Sequence, residues 1–187
     1  RGKIDVDGGL LDLSSAASGV VQQLLVKEGQ SVQKGQLVLR LADDAARADL
    51  AVAESELQLA QTKLKTRQDR LPALKATLTR WQAAAQQGAA DLQSVDEAVQ
   101  ALRDAQSEVD IATAEVTVAK RKAEQLRALL QRHELRAPEA AVVVRLLAQG
   151  GSMLQSGSPV AVLLPKRPLI VRAEVNGPLR PGNIDAV

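Results

Sequence analysis

Residues 19–41 read GVVQQLLVKEGQSVQKGQLVLRL, and residues 141–163 read AVVVRLLAQGGSMLQSGSPVAVL, which is the same pattern 122 positions later. The two stretches align without a gap, and Gly29 and Gly35 fall on Gly151 and Gly157. Glycines spaced in this way between apolar runs supply the positive φ angles of successive tight turns. Each copy therefore predicts strand, turn, short link, turn and strand. Because neither copy can close a core alone, we expect the two to pack face to face about a pseudo-twofold axis.

The segment between the copies, residues 43–133, has a different composition. It is rich in Ala, Leu, Gln, Lys and Glu, which are good helix formers. Residues recur at heptad spacing on both sides of Gly88, which indicates two coiled-coil helices in an antiparallel hairpin, with Gly88 ending the first and Asp91 capping the second. The first seam comprises Leu50, Ala53, Leu57, Ala60, Leu64, Arg67, Leu71, Leu74, Leu78, Trp81 and Ala85; the second comprises Val95, Ala98, Leu102, Ala105, Val109, Ala112, Val116, Ala119, Ala123, Leu126 and Leu130.

The charges favour the same antiparallel pairing. Near the bend the first helix is basic and the second acidic, and at the base of the hairpin the signs exchange. This arrangement disfavours a parallel or slipped partner, although each exposed pair contributes little. In this register Arg67 either faces the region of Asp110 or extends out of the seam. Trp81 either fills the seam near Val95 or is a partly exposed anchor for a partner.

Composition excludes several classes of function. The 187 residues include one Trp, no other aromatic residue and no Cys, so an aromatic-lined ligand pocket, a disulfide framework and thiol chemistry are not expected. A formal charge of +2 gives no field that would attract nucleic acid. His133 is the only histidine, and Asp43-Asp44 stands where a helix begins, which predicts capping rather than catalysis. We therefore assign no catalytic, cofactor-binding or metal-binding residue and expect a protein that is not an enzyme.

A β half, a coiled-coil hairpin and a second β half, in that order, make the chain resemble the periplasmic adaptors, also called membrane fusion proteins of the HlyD type. The resemblance is carried by residues 17–21, 26–38, 135–138 and 151–159, and residues 169–175 are similar to the start of the family's β-barrel domain. It covers nearly the whole chain. Each motif alone is weak, but their order is specific.

The resemblance implies an α+β fold: a split lipoyl-like β module interrupted by a long antiparallel coiled-coil α-hairpin, plus part of an adjacent β-barrel domain. The implied domains are 1–13 with 165–187 for the barrel, 14–42 with 135–164 for the lipoyl-like module, and 43–134 for the hairpin, with its tip near 86–91.

The function implied by the resemblance is that of an adaptor subunit in a tripartite efflux or secretion system. Such adaptors link an inner-membrane transporter to an outer-membrane channel of the TolC type and assemble as a homo-oligomer, which the family predicts to be a hexameric ring. The resemblance also implies a periplasmic location, anchored to the inner membrane through a segment not present in this chain. It implies neither a cofactor nor a nucleic-acid partner.

At the tip, adaptors that dock TolC-type channels carry an Arg, a Leu four residues later and a Ser seven beyond that. Here Arg80 matches, whereas Ala84 and Asp91 stand at the Leu and Ser positions. Asp91 can still cap a helix, but Ala84 lacks the apolar knob that would enter a channel groove. The predicted partner-binding residues are Arg80, Trp81, Ala84, Gln87, Gly88 and Asp91.

Two other classes of protein remain open from the sequence. A biotin or lipoyl carrier has similar β halves, but the hairpin replaces the turn that would present the modified lysine, and Lys34 lies in a different turn. A coiled-coil scaffold or tether without a transport role would need the hairpin alone. The repeat of the β halves disfavours this reading, because a tether needs no split β module.

Overall fold

The structure, a computed structural model, describes the backbone of residues 2–6, 9–167 and 169–173 and the side chains of residues 9–167. The chain divides into two compact units: a β unit, made of the chain up to Ala42 and from Arg132 onward, and a hairpin unit over Asp43–Gln131. The elements are β1 (Gly2–Val6), β2 (Leu11–Ser14), β3 (Gly19–Leu24), β4 (Ser31–Val32), β5 (Leu37–Leu41), α1 (Asp44–Gln86), α2 (Leu92–Gln131), β6 (Glu134–Arg136), β7 (Ala141–Leu146), β8 (Met153–Leu154), β9 (Pro159–Pro165) and β10 (Leu169–Ala173).

The β unit contains two four-stranded antiparallel sheets, with strand orders β2-β9-β7-β4 and β6-β5-β3-β8. The short strands β4 and β8 each pair with the opposite half of the repeat: Val32 lies opposite Ala141, and Leu154 lies opposite Gly19. These two pairings are equivalent under the 122-residue offset. The halves therefore exchange strands about a pseudo-twofold axis, as the repeat predicts.

The same equivalence extends to the long strands and their irregularities. The β3–β5 pair and the β7–β9 pair have corresponding partners, and the register shifts at the corresponding point in each, between Val21 and Gln23 and between Val143 and Arg145. The equivalence also includes strands outside the repeat seen in the sequence. The pairing of β2 with β9 corresponds to the pairing of β6 with β5.

The predicted glycine turns are present. Gly29, Gly35, Gly151 and Gly157 have φ angles between 79° and 87°, a region that L residues with a Cβ atom rarely adopt. The backbone N–H of Gly29 donates to the Val143 carbonyl and that of Gly151 to the Val21 carbonyl, each at 2.8 Å. The first glycine turn of each half is therefore tied to a strand of the other half.

The core of the β unit is aliphatic and draws on both halves of the repeat. Its fully buried large side chains are Val21, Val32, Val38, Leu39, Leu41, Val143, Val160 and Leu163. All members of this buried cluster belong to the β unit. The core is therefore complete without any side chain of the hairpin.

The hairpin unit consists of two antiparallel helices of 43 and 40 residues, each about 60 to 65 Å long. The predicted seams are confirmed, since every seam residue except Trp81 is buried or half-buried. The most buried positions are mainly alanines, including Ala53, Ala60, Ala105 and Ala112. Small side chains at these positions let the two backbones approach closely, which explains the high alanine content.

Asp43 is the N-cap residue of α1 and Asp44 lies in its first turn, as expected, but the expected capping hydrogen bond of Asp43 is not made. The carboxylate of Asp43 makes no capping hydrogen bond to the backbone of α1. It is buried and accepts a hydrogen bond from Arg47 Nε at 2.8 Å. A side-chain ion pair with the residue one turn later takes the place of the cap.

Strands β1 and β10 form a separate two-stranded antiparallel sheet. Of the barrel segment expected over residues 165–187, residue 168 and residues 174–187 lie outside the described residues. The predicted fold class is confirmed: long paired helices are inserted into a repeated antiparallel β module, beside a further piece of sheet.

We expect the β unit to fold without the hairpin. The Leu41 N–H donates to the His133 carbonyl at 2.8 Å, so the ends of the insertion already adjoin. Replacing residues 43–131 by Asn-Gly, a sequence that favours a tight hairpin turn, should give a β protein with a cooperative thermal transition by circular dichroism. An unfolded or aggregated product would contradict the independence of the core.

Glu134 predicts an acid-sensitive component of stability. Its carboxylate bridges Arg136, at 2.6 Å, and its cross-strand neighbour Arg40, at 3.2 Å. The hydrogen bond from Arg136, reinforced by the charges of Arg136 and Arg40, lowers the pKa of Glu134 below its ordinary value of 4.5, against the opposing effect of desolvation.

Because this pKa is lower in the folded state, the stabilisation is present above about pH 4.5 and is lost as pH falls through the folded-state pKa. Glu134→Gln should remove this part of the pH dependence in urea denaturation of the β unit. The same substitution at Glu115, on α2, is the control. An unchanged acid dependence in Glu134→Gln would refute the assignment.

Candidate functional site: the hairpin tip

The bend between the helices is built by backbone hydrogen bonds around one glycine. Gly88 has a φ of +70°, the Ala89 N–H donates to the Ala84 carbonyl at 2.8 Å, and the Gly88 N–H donates to the Ala85 carbonyl at 3.0 Å. This pair of bonds is a Schellman motif, which satisfies carbonyls left free at the end of α1. Gly88 therefore ends the first helix as predicted.

Asp91 caps the second helix, also as predicted. Its Oδ1 accepts the Ser94 backbone N–H at 2.8 Å. Hydrogen bonding from Ser94, through its side chain and then its backbone, lowers the pKa of Asp91 below its ordinary value. The carboxylate is thus held in its charged form at the positive end of the helix dipole.

The tip carries an exposed groove on α1. Arg80, Trp81 and Ala84 line it together with Thr77, and Arg80 Nη2 donates to Thr77 Oγ1 at 3.1 Å. The Trp81 side chain is 41% exposed, so the alternative in which it fills the seam is wrong. A large aromatic ring is therefore accessible at the tip, where a partner could bury it.

The six predicted tip residues fall into two places along the chain. Arg80, Trp81 and Ala84 share the groove, whereas Gln87, Gly88 and Asp91 form the turn and the cap of α2.

Two residues were not predicted for the tip, Thr77 and Leu92. Thr77 lies one turn before Trp81 on the same side of the helix, a signal that the spacing already contained. Leu92, the first residue of α2, is 77% exposed. Leu92 lies outside the heptad series that begins at Val95, and an apolar residue outside the seam is expected to be exposed.

The ion pairs between the helices have the predicted signs, with acidic residues of α1 at the base and basic residues of α1 nearer the tip. Near the base, Lys122 pairs with Glu56 and Arg127 with Glu54. Nearer the tip, the described ion pairs between the helices all involve Glu108. Its Oε2 lies 3.4 Å from Arg70 Nη1 and 3.9 Å from Arg67 Nε.

Arg67 faces the region of Asp110, as expected, but the carboxylate beside it is that of Glu108. The Arg67 Nε is beside Glu108, whereas Asp110 Oδ1 accepts a weak hydrogen bond from Gln106 on its own helix. In the part of the chain that the structure describes, Arg67 Nη1 is buried and has no hydrogen-bond partner. A guanidinium in the seam therefore carries an unsatisfied donor.

Two features are absent from the described residues. Within residues 2–6, 9–167 and 169–173, no cluster of three His, Asp or Glu side chains is placed to hold a metal ion. Neither of the two helices has an uninterrupted apolar stretch of the length needed to cross a bilayer.

Comparison with known proteins gives one sequence match and several fold matches. Over 54 residues, the chain is 41% identical to the type I secretion system membrane fusion protein PrsE of Rhizobium meliloti strain 1021; the match covers 29% of this chain and 12% of PrsE. No protein-family model matches the chain.

Solved structures that share the fold include MacA and ZneB. MacA from Actinobacillus actinomycetemcomitans superposes with a TM-score of 0.77 at 20% identity, over 91% of this chain and 53% of MacA. ZneB from Cupriavidus metallidurans superposes with a TM-score of 0.55 at 21% identity, over 91% of this chain and 66% of ZneB. The chain thus spans about half the length of MacA.

Together these matches confirm the resemblance predicted from the sequence. The chain has the fold of the periplasmic adaptors, or membrane fusion proteins.

Replacing Arg67 by Leu should stabilise the hairpin. A buried donor without a partner costs about 1–3 kcal/mol of stability. The substitution removes this donor and fills the seam position with an apolar side chain. We expect the free energy of unfolding to rise by about 1 kcal/mol or more in urea denaturation. Arg70→Leu, which removes the more exposed partner of Glu108, is the control and should give no gain. A loss of stability in Arg67→Leu would mean that its contact with Glu108 outweighs the buried donor.

Proposed function

We propose that this chain is the adaptor subunit of a tripartite efflux or secretion system, linking an inner-membrane transporter to an outer-membrane channel of the TolC type. The observation that carries the proposal is the insertion of the helical hairpin into the chain of the β unit. Its two helices, each about 60 Å long, lie in sequence between Leu41 and His133, whose backbones share a hydrogen bond. A pair of helices of this length can span a gap between two partners, and the role we propose for it is architectural rather than enzymatic.

The same proposal places the chain in the periplasm, held at the inner membrane by a segment outside this chain, and assembled as a homo-oligomer in the form of a ring. Residues at both ends of the β unit are assigned to an adjacent barrel domain, and the pairing of β1 with β10 supports this assignment. Because β2 pairs within the module, we propose a boundary before Leu11 rather than at residue 14.

The tip is proposed as the surface that contacts the outer-membrane channel, through Arg80, Trp81, Ala84, Gln87, Gly88 and Asp91. Exposure of Trp81 beside Arg80 supports this role, because aromatic and arginine side chains dominate the binding energy of protein interfaces. The small Ala84 leaves the groove open, and Leu92 is an exposed apolar side chain at a position outside the family's Arg, Leu and Ser pattern.

The proposal predicts that Arg80→Ala and Ala84→Asp abolish export of the system's substrate while the helical content by circular dichroism stays unchanged. The first removes a cation from the contact surface, and the second puts an unpaired charge in the groove. Lys75→Ala and Ala83→Asp make the same chemical changes at neighbouring exposed positions of α1 and should leave export intact.

Normal export by both tip variants would remove the tip from the proposal.

Fractionation of the full-length protein tests the proposal as a whole. Recovery in the cytosol, with no inner-membrane transporter co-purifying, would favour the tether instead.

A further inference from the structure

The seam between the two helices is closed along only part of its length. Its buried side chains are Leu50, Ala53 and Ala60 on α1 and Ala105, Val109, Ala112 and Ala123 on α2. None of them lies in residues 72–104, which we call the tip segment. In this stretch, which the structure describes in full, every seam side chain is half-buried or, at Trp81, exposed. Because stabilisation by apolar contacts scales with the area removed from water, the tip segment gains less from its pairing than the rest of the hairpin does.

Ion pairs between the helices also stop short of the tip segment. The described pairs that cross the hairpin are Glu54–Arg127, Glu56–Lys122, Arg67–Glu108 and Arg70–Glu108. Inside the tip segment, the described side-chain hydrogen bonds lie within one helix or at its cap. For example, Gln93 donates to Glu97 at 3.0 Å and Gln100 donates to Asp104 at 2.7 Å. Such bonds stabilise each helix by itself, so they persist when the two helices part.

A boundary between the tip segment and the rest of the hairpin lies at Arg67 and Pro72. Arg67 occupies a seam position, and its Nη1 is buried without a hydrogen-bond partner among the described residues. Pro72 lies inside α1, five residues later, and has no backbone N–H to donate to the Gln68 carbonyl. The apolar seam and the hydrogen bonds of α1 are therefore both interrupted within two turns of helix.

The bend at the far end of the tip segment is closed more firmly than the seam behind it. The Schellman bonds around Gly88 and the cap from Asp91 to the Ser94 N–H satisfy backbone groups at the helix ends. Both helices of the tip segment therefore stay capped when contacts between them are lost. Loss of pairing in this segment differs in this respect from fraying that starts at a free end.

We propose that the tip segment opens as a separate unit: its two helices part while the rest of the hairpin stays paired. Weakly packed segments open locally with a lower free energy than the core, and elements that contact partners are drawn from such segments. All six residues of the proposed contact surface lie between residues 80 and 91, inside the tip segment. The opening deepens the proposed function, on which its role at the channel rests, by naming the change of state available to that surface.

Native-state amide hydrogen exchange of the full-length protein, followed by mass spectrometry at low urea concentrations, measures the opening. Peptides from residues 74–85 and 94–104 should share one opening constant, because the segment opens as a unit. This constant should exceed that of residues 48–60 and 112–125 by about tenfold or more.

Repairing the boundary should join the two parts of the hairpin. Arg67→Leu combined with Pro72→Ala completes the seam and restores the N–H that α1 lacks, so the opening constant of the tip segment should fall several-fold toward that of the base. Arg70→Leu combined with Gln68→Ala makes similar changes at neighbouring exposed positions and is the matched control, which should leave the opening constant of the tip segment unchanged.

A disulfide across the tip segment tests whether the helices part, because the chain contains no cysteine. The Arg70–Glu108 pair sets Leu78 level with Leu102 to within two residues, and both lie in the seam. Oxidised Leu78→Cys/Leu102→Cys protein should show several-fold slower exchange in the tip segment, and reduction should restore the faster rate.

The matched control disulfide lies near the base of the hairpin. The Glu56–Lys122 pair sets Leu57 level with Ala123 to within two residues. Oxidised Leu57→Cys/Ala123→Cys protein should show the exchange of the unmodified protein in the tip segment.

Three outcomes would overturn the opening as proposed. One opening constant along the whole hairpin would mean that it is a single unit. Fast exchange confined to the turns next to Gly88 would mean fraying at the bend. Unchanged exchange in the oxidised Leu78→Cys/Leu102→Cys protein would mean that the helices do not part. The exchange readout does not depend on transport, so failed export with separate opening would count against the proposed function alone, and normal export with uniform exchange against this opening alone.

Discussion

The β unit depends on a reciprocal exchange of hydrogen bonds between sequence segments about 120 residues apart. The Gly29 N–H reaches the Val143 carbonyl, and the Gly151 N–H reaches the Val21 carbonyl. Strands β4 and β8 have only two residues each and pair only with the opposite half, so neither half of the repeat forms these sheets alone. The glycine turns make the exchange possible, because their positive φ angles allow the tight turns whose N–H groups reach the other half.

This constraint lets a long insertion be carried at little structural cost. The pseudo-twofold exchange brings β5 and β6 together as neighbouring strands, so anything placed between them begins and ends at one point. The inserted helices pair through narrow, alanine-rich seams and through ion pairs that favour one register over the others. The aromatic poverty of the chain follows from both parts, since a small aliphatic core and a close helix pair have little room for rings. The single Trp lies where neither part constrains it, on the outside of the tip.

Much of this architecture could be predicted from the sequence, because it rests on periodicity. The repeat identified the strands and the four left-handed glycines, and the heptads identified the seam. Features that depend on single side chains could not be predicted. Glu108 and Asp110 both stand near the expected level of Arg67, and the choice between them depends on which side of the helix each occupies.

The same distinction explains the other differences. Asp43 could cap the helix or pair with Arg47, and the sequence is compatible with both. Strand β2 has four residues, two of them polar, so its place in the module became visible only through its correspondence with β6. At the tip, the exposure of Trp81 depends on how far the seam stays closed near its end, which a heptad pattern does not determine.

The central claim is that the two halves of the repeat form one cooperative unit despite the insertion between them. Native-state amide hydrogen exchange at Leu25 and Leu147 measures this directly, because the Leu25 N–H donates to the Val38 carbonyl within the first half and the Leu147 N–H to the Val160 carbonyl within the second. We predict one common free energy of opening with the same denaturant dependence at both. A clearly lower free energy for the amides of one half would show that this half opens independently, and would contradict the claim.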